Sequence, residues 1–133
     1  MRITTNYNTP SYKAKFVYSD DLKKVVNYAV ETNRFTKLNN ARKNIDSAYL
    51  TRRLKFEFVG NENGYPVVAF TRFTPKSGII PKNINDYEQS EKFICISSKK
   101  MNPLKYGYDM IIKLSNSAPQ NNLYKRIVAG TKN

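Results

Sequence analysis

The sequence predicts an α+β fold: a mostly antiparallel sheet of about four strands with three helices on one face, in the order β-α-α-β-β-β-α. Three observations carry this reading. Leu22, Val25, Val26, Ala29 and Val30 repeat at helical spacing. Leu54-Lys55-Phe56-Glu57-Phe58 alternates apolar and charged residues, as a half-buried strand does. An Asn63-Gly64 pair then separates that run from a second β-rich stretch, which marks a chain reversal.

Taken in order, residues 1–11 are polar, end in Thr9-Pro10 and read as a flexible N-terminal arm. A single α+β domain is expected over residues 12–117, with a basic C-terminal tail over 118–133. Tyr12 to Tyr18 alternates, placing Tyr12, Ala14, Phe16 and Tyr18 on one face of a first strand. Ser19-Asp20-Asp21 supplies acceptors and negative charge for the start of the first helix. A short connector near residues 33–36 leads to a second helix from about Leu38 to Leu50, with Leu38, Ala41, Ile45, Ala48 and Tyr49 on its inner side. Arg42, Asp46 and Arg53 fall beside that stripe, and Arg42 and Asp46 have the i,i+4 spacing of an ion pair.

The strand at Leu54–Phe58 is followed by Gly60–Gly64, longer than the ideal two-residue loop, and by a partner strand from Pro66 to Thr74. Residues 75–90, with two prolines and a Ser-Gly, form the longest expected loop. Lys92–Ser97 is a compact apolar run of the kind found in a central strand. Asn102-Pro103 is a helix start, with Asn as cap and Pro in the first turn. Leu104, Gly107, Tyr108, Ile111 and Ser115 then share a helical face, and a strand over Tyr108–Leu114 is the rival reading. Pro119-Gln120-Asn121-Asn122 breaks the pattern before the tail.

Composition excludes much chemistry. Without a histidine there is no Ser-His or Cys-His couple, no imidazole base and no imidazole metal ligand. One cysteine, Cys95, makes neither an internal disulfide nor a structural zinc site, so a reducing, cytoplasmic setting is the default expectation. Asp86, Glu88 and Glu91 lack the ligand count and glycine placement of a calcium loop and read as a solvated acidic loop. No glycine-rich phosphate loop is present, so no cofactor is expected. No apolar run approaches the roughly 20 residues of a membrane span, so no membrane partner is expected, and the N-terminal residues lack the apolar core of a signal peptide, so secretion by that route is not expected. No catalytic residue is assigned.

What remains is charge. Twenty-three Lys and Arg against ten Asp and Glu give a net charge of +13, accompanied by ten Tyr and seven Phe. Residues 32–56 hold seven basic residues against Asp46, and residues 98–133 hold seven against Asp109. Between them, residues 57–91 carry five acidic residues against three basic ones. Such polarity suits a phosphate backbone, with tyrosines such as Tyr28, Tyr49 and Tyr106 available to stack on unpaired bases. The expected contacts are Arg42, Arg53 and Lys55, with Arg34, Lys37, Lys43 and Arg52 outside them and Tyr49 alongside.

The predicted element order over residues 12–116 resembles that of the RelE/ParE toxin superfamily, small basic proteins that include ribosome-associated mRNA endonucleases. Arg72, Phe73, Lys99, Lys100 and Tyr106 or Tyr108 are nearest in kind to the Lys, Arg and Tyr with which such enzymes cut RNA. Gly64-Tyr65-Pro66-Val67 stands where that family's meander carries a basic residue, so no catalytic position carries over. Asn6-Tyr7-Asn8 followed by Tyr12-Lys13-Ala14-Lys15-Phe16 is similar to the start of some small bacterial proteins and implies no function. The expectation is a non-enzymatic module that binds nucleic acid, RNA or single strands before a specific duplex. Its rivals are a module docking on an acidic protein or ribonucleoprotein, of the phage or mobile-element type, and a histidine-independent ribonuclease.

Overall fold

A computed structural model describes residues 16–48, 53–75, 87–117 and 123–131. The elements are α1 (Asp20–Glu31), α2 (Phe35–Ala48), β1 (Arg53–Glu62), β2 (Tyr65–Pro75), β3 (Tyr87–Ile96), α3 (Pro103–Asn116) and α4 (Leu123–Thr131). The strands form an antiparallel sheet in the order β1-β2-β3, with the helices on one face, which is the α+β class expected, with three strands in the described sheet.

α1 starts at the expected cap: the Ser19 hydroxyl oxygen accepts the Leu22 N–H at 3.2 Å, and Asp20 and Asp21 occupy the first turn. Leu22, Val25 and Ala29 are buried, but Val30 is 57% exposed. At 3.6 residues per turn Val30 lies about 80° from Leu22, on the flank of the buried stripe. α2 begins earlier than its apolar pattern suggests and turns Leu38, Ala41 and Ile45 inward. Of the expected first strand, Phe16 makes a single parallel bridge to Leu54; its residues 12–15 and the arm over 1–11 lie outside the described residues.

The hairpin is tighter than expected. Pairing continues to Glu62 and Tyr65, leaving Asn63 (φ 57°) and Gly64 (φ 90°) as a two-residue turn. Positive φ at both positions is what matches the twist of paired strands, and Asn-Gly tolerates it. The additional residues expected in the loop are strand, with a bulge between Phe58 and Gly60.

Two positions differ more substantially. The apolar run Lys92–Ser97 predicts a central strand, yet in the described sheet β2 is central and β3, which begins at Tyr87, lies at an edge. Its apolar character misleads because Ile94 and Ile96 are 51% and 61% exposed. The C-terminal segment expected as a tail contains α4, which places Leu123 and Ile127 in the core. Leu123 N–H donates to the Glu91 carboxylate at 3.1 Å, and Glu91 also pairs with Arg72 at 3.0 Å, so α4 is tied to the sheet at its first turn.

The core lies between the helix-side face of the sheet (Leu54, Phe56, Val68, Phe70, Cys95) and the inner faces of the four helices. α3 forms over residues 103–116 as a helix, which excludes the strand alternative. Asn102 accepts the Leu104 N–H at 2.8 Å and Pro103 opens the first turn. Asn102→Ala is expected to lower stability by about 1 kcal/mol, read from a urea denaturation midpoint at unchanged slope.

Candidate nucleic-acid interface

The residue that organises the basic surface is Arg34. α1 ends with Thr32 as cap and Asn33 in the left-handed region at φ 61°. Asn33 N–H then donates to the Val30 carbonyl at 3.3 Å, and Arg34 N–H to the Ala29 carbonyl at 2.7 Å. This is a Schellman closure with asparagine in place of the usual glycine. The Arg34 carbonyl in turn accepts the Leu38 N–H at 3.2 Å and opens α2. Its backbone therefore closes one helix and begins the next, while its guanidinium lies 5.8 Å from the centre of the Tyr28 ring.

Beside it is an open cleft of about 560 Å3 lined by Asn33, Arg34, Thr36, Lys37, Asn40 and Tyr108. Tyr108 comes from α3 and packs against Tyr28, ring centres 6.3 Å apart. Burial pushes the Tyr108 phenol above its ordinary pKa, and Arg34 pulls it the other way, so it stays a neutral hydrogen-bonding group at neutral pH. Among the described residues neither Arg34 nor Lys37 forms an ion pair.

The electrostatics of α2 run against the usual rule. The positive end of a helix dipole favours acidic residues, and α1 follows this with Asp20 and Asp21. The first turn of α2 has no acidic residue, and Lys37 sits in it shortly after Arg34. Like charge is thus concentrated at one helix end, where backbone N–H groups also point outward. An anion placed there would relieve the repulsion. Phe35, the first residue of the same turn, is 44% exposed and lines a recess with Leu38 and Arg42 on the other flank of the helix.

The residues expected to form one patch are divided by the fold. Arg34 and Lys37 come together at the cleft. Lys43 lies further along α2. Arg42 lies on the other flank, in a small apolar recess with Phe35 and Leu38, and donates to Asn39 Oδ1 at 3.5 Å. It does not take up the i,i+4 pairing expected with Asp46, whose Oδ1 accepts the Phe16 N–H at 2.7 Å. Arg53 begins β1 and does not extend the stripe of α2; it is 7% exposed, with its guanidinium 5.8 Å from the Tyr87 ring centre. Lys55 alternates with the core residues Leu54 and Phe56 and so belongs to the helix-free face of the sheet. Tyr49 and Arg52 lie outside the described residues.

Asn33, Thr36, Asn40 and Tyr108 join the cleft although charge and aromatic spacing do not mark them for it. A local signal is present in Thr32-Asn33, polar residues at a helix end of which asparagine tolerates the left-handed region. Tyr28 and Tyr106, expected as stacking platforms, are engaged otherwise: Arg34 covers Tyr28, and Tyr106 is half-buried against the core. Burial pushes the Tyr106 phenol up to about 12, with Cys95 adding to the effect, and pushes the Cys95 thiol up to about 12 as well. Cys95 is thus a protonated, weakly nucleophilic thiol at neutral pH.

Among the described residues no group of three or more His, Cys, Asp or Glu is placed to hold a metal, and no helix is long and apolar enough to cross a membrane. Arg72, nearest in kind to a ribonuclease residue, is paired with Glu91 on the helix side of the sheet. Comparison of the chain with protein-family models, with curated proteins and with solved structures gives no match in any of the three.

Proposed function

We propose that this chain binds nucleic acid, RNA or a single strand, at the N-terminal end of α2. Phosphates occupy the cleft beside Arg34 and Lys37, within reach of the Asn33, Thr36 and Asn40 side chains, and the strand crosses the helix end to rest an unpaired base on the exposed Phe35 of the other flank. The observation that carries the reading is the concentration of cations at the positive end of α2, without an acidic partner among the described residues. A helix end built in this way is electrostatically incomplete until an anion arrives. The net charge of +13 adds a long-range attraction that speeds encounter with any polyanion. The exposed ring favours single strands, because a base paired in a duplex has no free face to offer.

The test is binding of labelled single-stranded RNA, single-stranded DNA and duplex DNA across a salt series, with polyglutamate as a competitor. The expected result is tighter binding of a single strand than of the duplex, with log affinity falling linearly in log salt, and weak competition by polyglutamate. Equal affinity for every polyanion would reduce the charge to a non-specific property and remove the reading.

A further inference from the structure

The two edges of the sheet are treated differently by the fold. At the outer edge of β1, the Leu54 carbonyl accepts the Val17 N–H at 2.7 Å and the Phe56 carbonyl accepts the Ser19 hydroxyl at 3.2 Å. Further along, the Phe58 N–H donates to the Asp21 carboxylate at 2.8 Å. Three successive outward-facing residues are thus satisfied from within the chain.

β3 has no strand on its outer edge among the described residues. Ser97 N–H donates inward to the Pro66 carbonyl at 2.9 Å, and the ladder with β2 is unbroken from Lys92 to Ile96. Because bonding alternates along an antiparallel ladder, Lys92, Ile94 and Ile96 turn their N–H and C=O groups outward. Such an edge is a template for another strand, and proteins ordinarily cover or blunt it.

Alongside this edge runs a groove of about 530 Å3 between β3, α3 and α4. Met101, Tyr106, Met110 and Ile127 contribute apolar lining, and the high pKa of the Cys95 thiol and the Tyr106 phenol keeps both neutral at neutral pH. Lys99 and Lys113 also line it, whereas its acid, Asp109, is paired with Lys105 at 2.9 Å.

We propose that β3 accepts an extended, acidic segment of a partner protein as an added strand, its backbone bonding to Ile94 and Ile96, its apolar side chains entering the groove and its carboxylates meeting Lys99 and Lys113. An extended backbone is what the outward-facing groups of β3 can bond, and alternate side chains of such a strand fall on the groove side. The two lysines line the same groove, so they select acidic residues for the groove-side positions that meet them, on the same face as the apolar ones. A second copy of this chain is the weaker occupant, since each copy carries +13 and would bring like charge to the contact. This site is separate from the α2 end and shares none of the residues that line the cleft there.

The experiment uses the full chain and an eight-residue peptide with glutamate, valine, valine and glutamate at the alternate positions of one face and threonine at the other four, with its lysine counterpart and a backbone N-methylated version as controls. The glutamate peptide is expected to bind at least tenfold more tightly than either control and to slow hydrogen exchange at the amides of Ile94 and Ile96. Ile94→Pro removes an outward donor and no ladder bond, so the fold, followed by circular dichroism and the denaturation midpoint, is retained while peptide binding falls at least tenfold. Should that variant fail to fold, the N-methylated peptide makes the same test from the ligand side. Lys99→Glu with Lys113→Glu is expected to transfer preference to the lysine peptide, and Arg34→Glu to leave peptide binding unchanged. No binding, equal affinity for the glutamate and lysine peptides, or perturbation at α2 in place of β3 overturns the proposal. So does concentration-dependent protection of Ile94 and Ile96 without peptide, which would make a second copy the occupant, or displacement of the peptide by RNA.

Discussion

Phe56→Ala is expected to lower the unfolding free energy by about 3–5 kcal/mol, a large part of the roughly 5–15 kcal/mol available to a domain of this kind. Phe56 is fully buried, meets Phe58 edge-on at 5.1 Å between ring centres and stands 5.5 Å from the Phe70 ring. Its ring also explains a glycine inside α3. A Cβ added at Gly107 would come within 2.9 Å of Phe56 Cζ, and within 3.2 Å of both Phe58 Cε1 and Val25 Cγ2. Glycine in a helix interior costs about 1 kcal/mol relative to alanine, and here that loss permits α1, α3 and β1 to approach closely. Gly107→Ala alone is therefore expected to destabilise, because an overpacked core costs about 1–3 kcal/mol and outweighs the helix gain. In the Phe56→Ala background the nearest obstacle is gone, and the same substitution should cost much less. A double-mutant cycle on urea midpoints measures this coupling, and additive effects would show that the ring does not exclude the side chain.

Reversing Arg34 and Lys37 together to glutamate is expected to have the largest effect on binding. Each phosphate of a single strand that the protein no longer neutralises flattens the slope of log affinity against log salt by about 0.7, so two of them reduce it by about 1.4. Affinity at low salt should fall by about two orders of magnitude or more, since the new carboxylates repel the strand as well as releasing it, while the difference narrows at high salt. Phe35→Ala is expected to behave differently, weakening binding by about 1–3 kcal/mol at every salt concentration with the slope unchanged. Filter-binding or anisotropy titrations across a salt series separate the two patterns. An unchanged slope in a folded Arg34→Glu, Lys37→Glu double variant would remove the α2 end from the interface.

The sequence disclosed those elements whose local chemistry and burial agree. α1 is legible because its cap, its first-turn acids and its apolar spacing all point to one start and one face. α3 is legible through Asn102-Pro103, although its apolar residues alone also suit a strand. α4 is not, because Leu123 and Ile127 anchor it to the core from among polar and basic neighbours that read as a solvated tail. The position of β3 is hidden for the opposite reason: an apolar run suggests burial on both faces, and Ile94 and Ile96 are left exposed at an edge. The candidate site is legible as a composition and not as a place. Proximity in sequence groups Arg34 and Lys37 with Arg53 and Lys55, but the end of α2 and the start of β1 lie between them and send the second pair to the sheet. Tyr108 reaches the cleft only through the packing of α3 against α1 and α2, which no local pattern records.

Three carboxylates of this chain serve as joinery. Asp46 holds the backbone of Phe16, Asp21 that of Phe58, and Glu91 that of Leu123, so each fastens together segments distant in sequence. These three acids have consequently been given a different trade from the lysines on the exposed faces, one inside the carpentry and one facing outward. Charge can therefore be edited in only one direction without cost. Lysines on the exposed faces can be exchanged to tune solubility or partner choice while the frame stays put, whereas an attempt to make the chain still more basic by neutralising Asp21, Asp46 or Glu91 would loosen its corners.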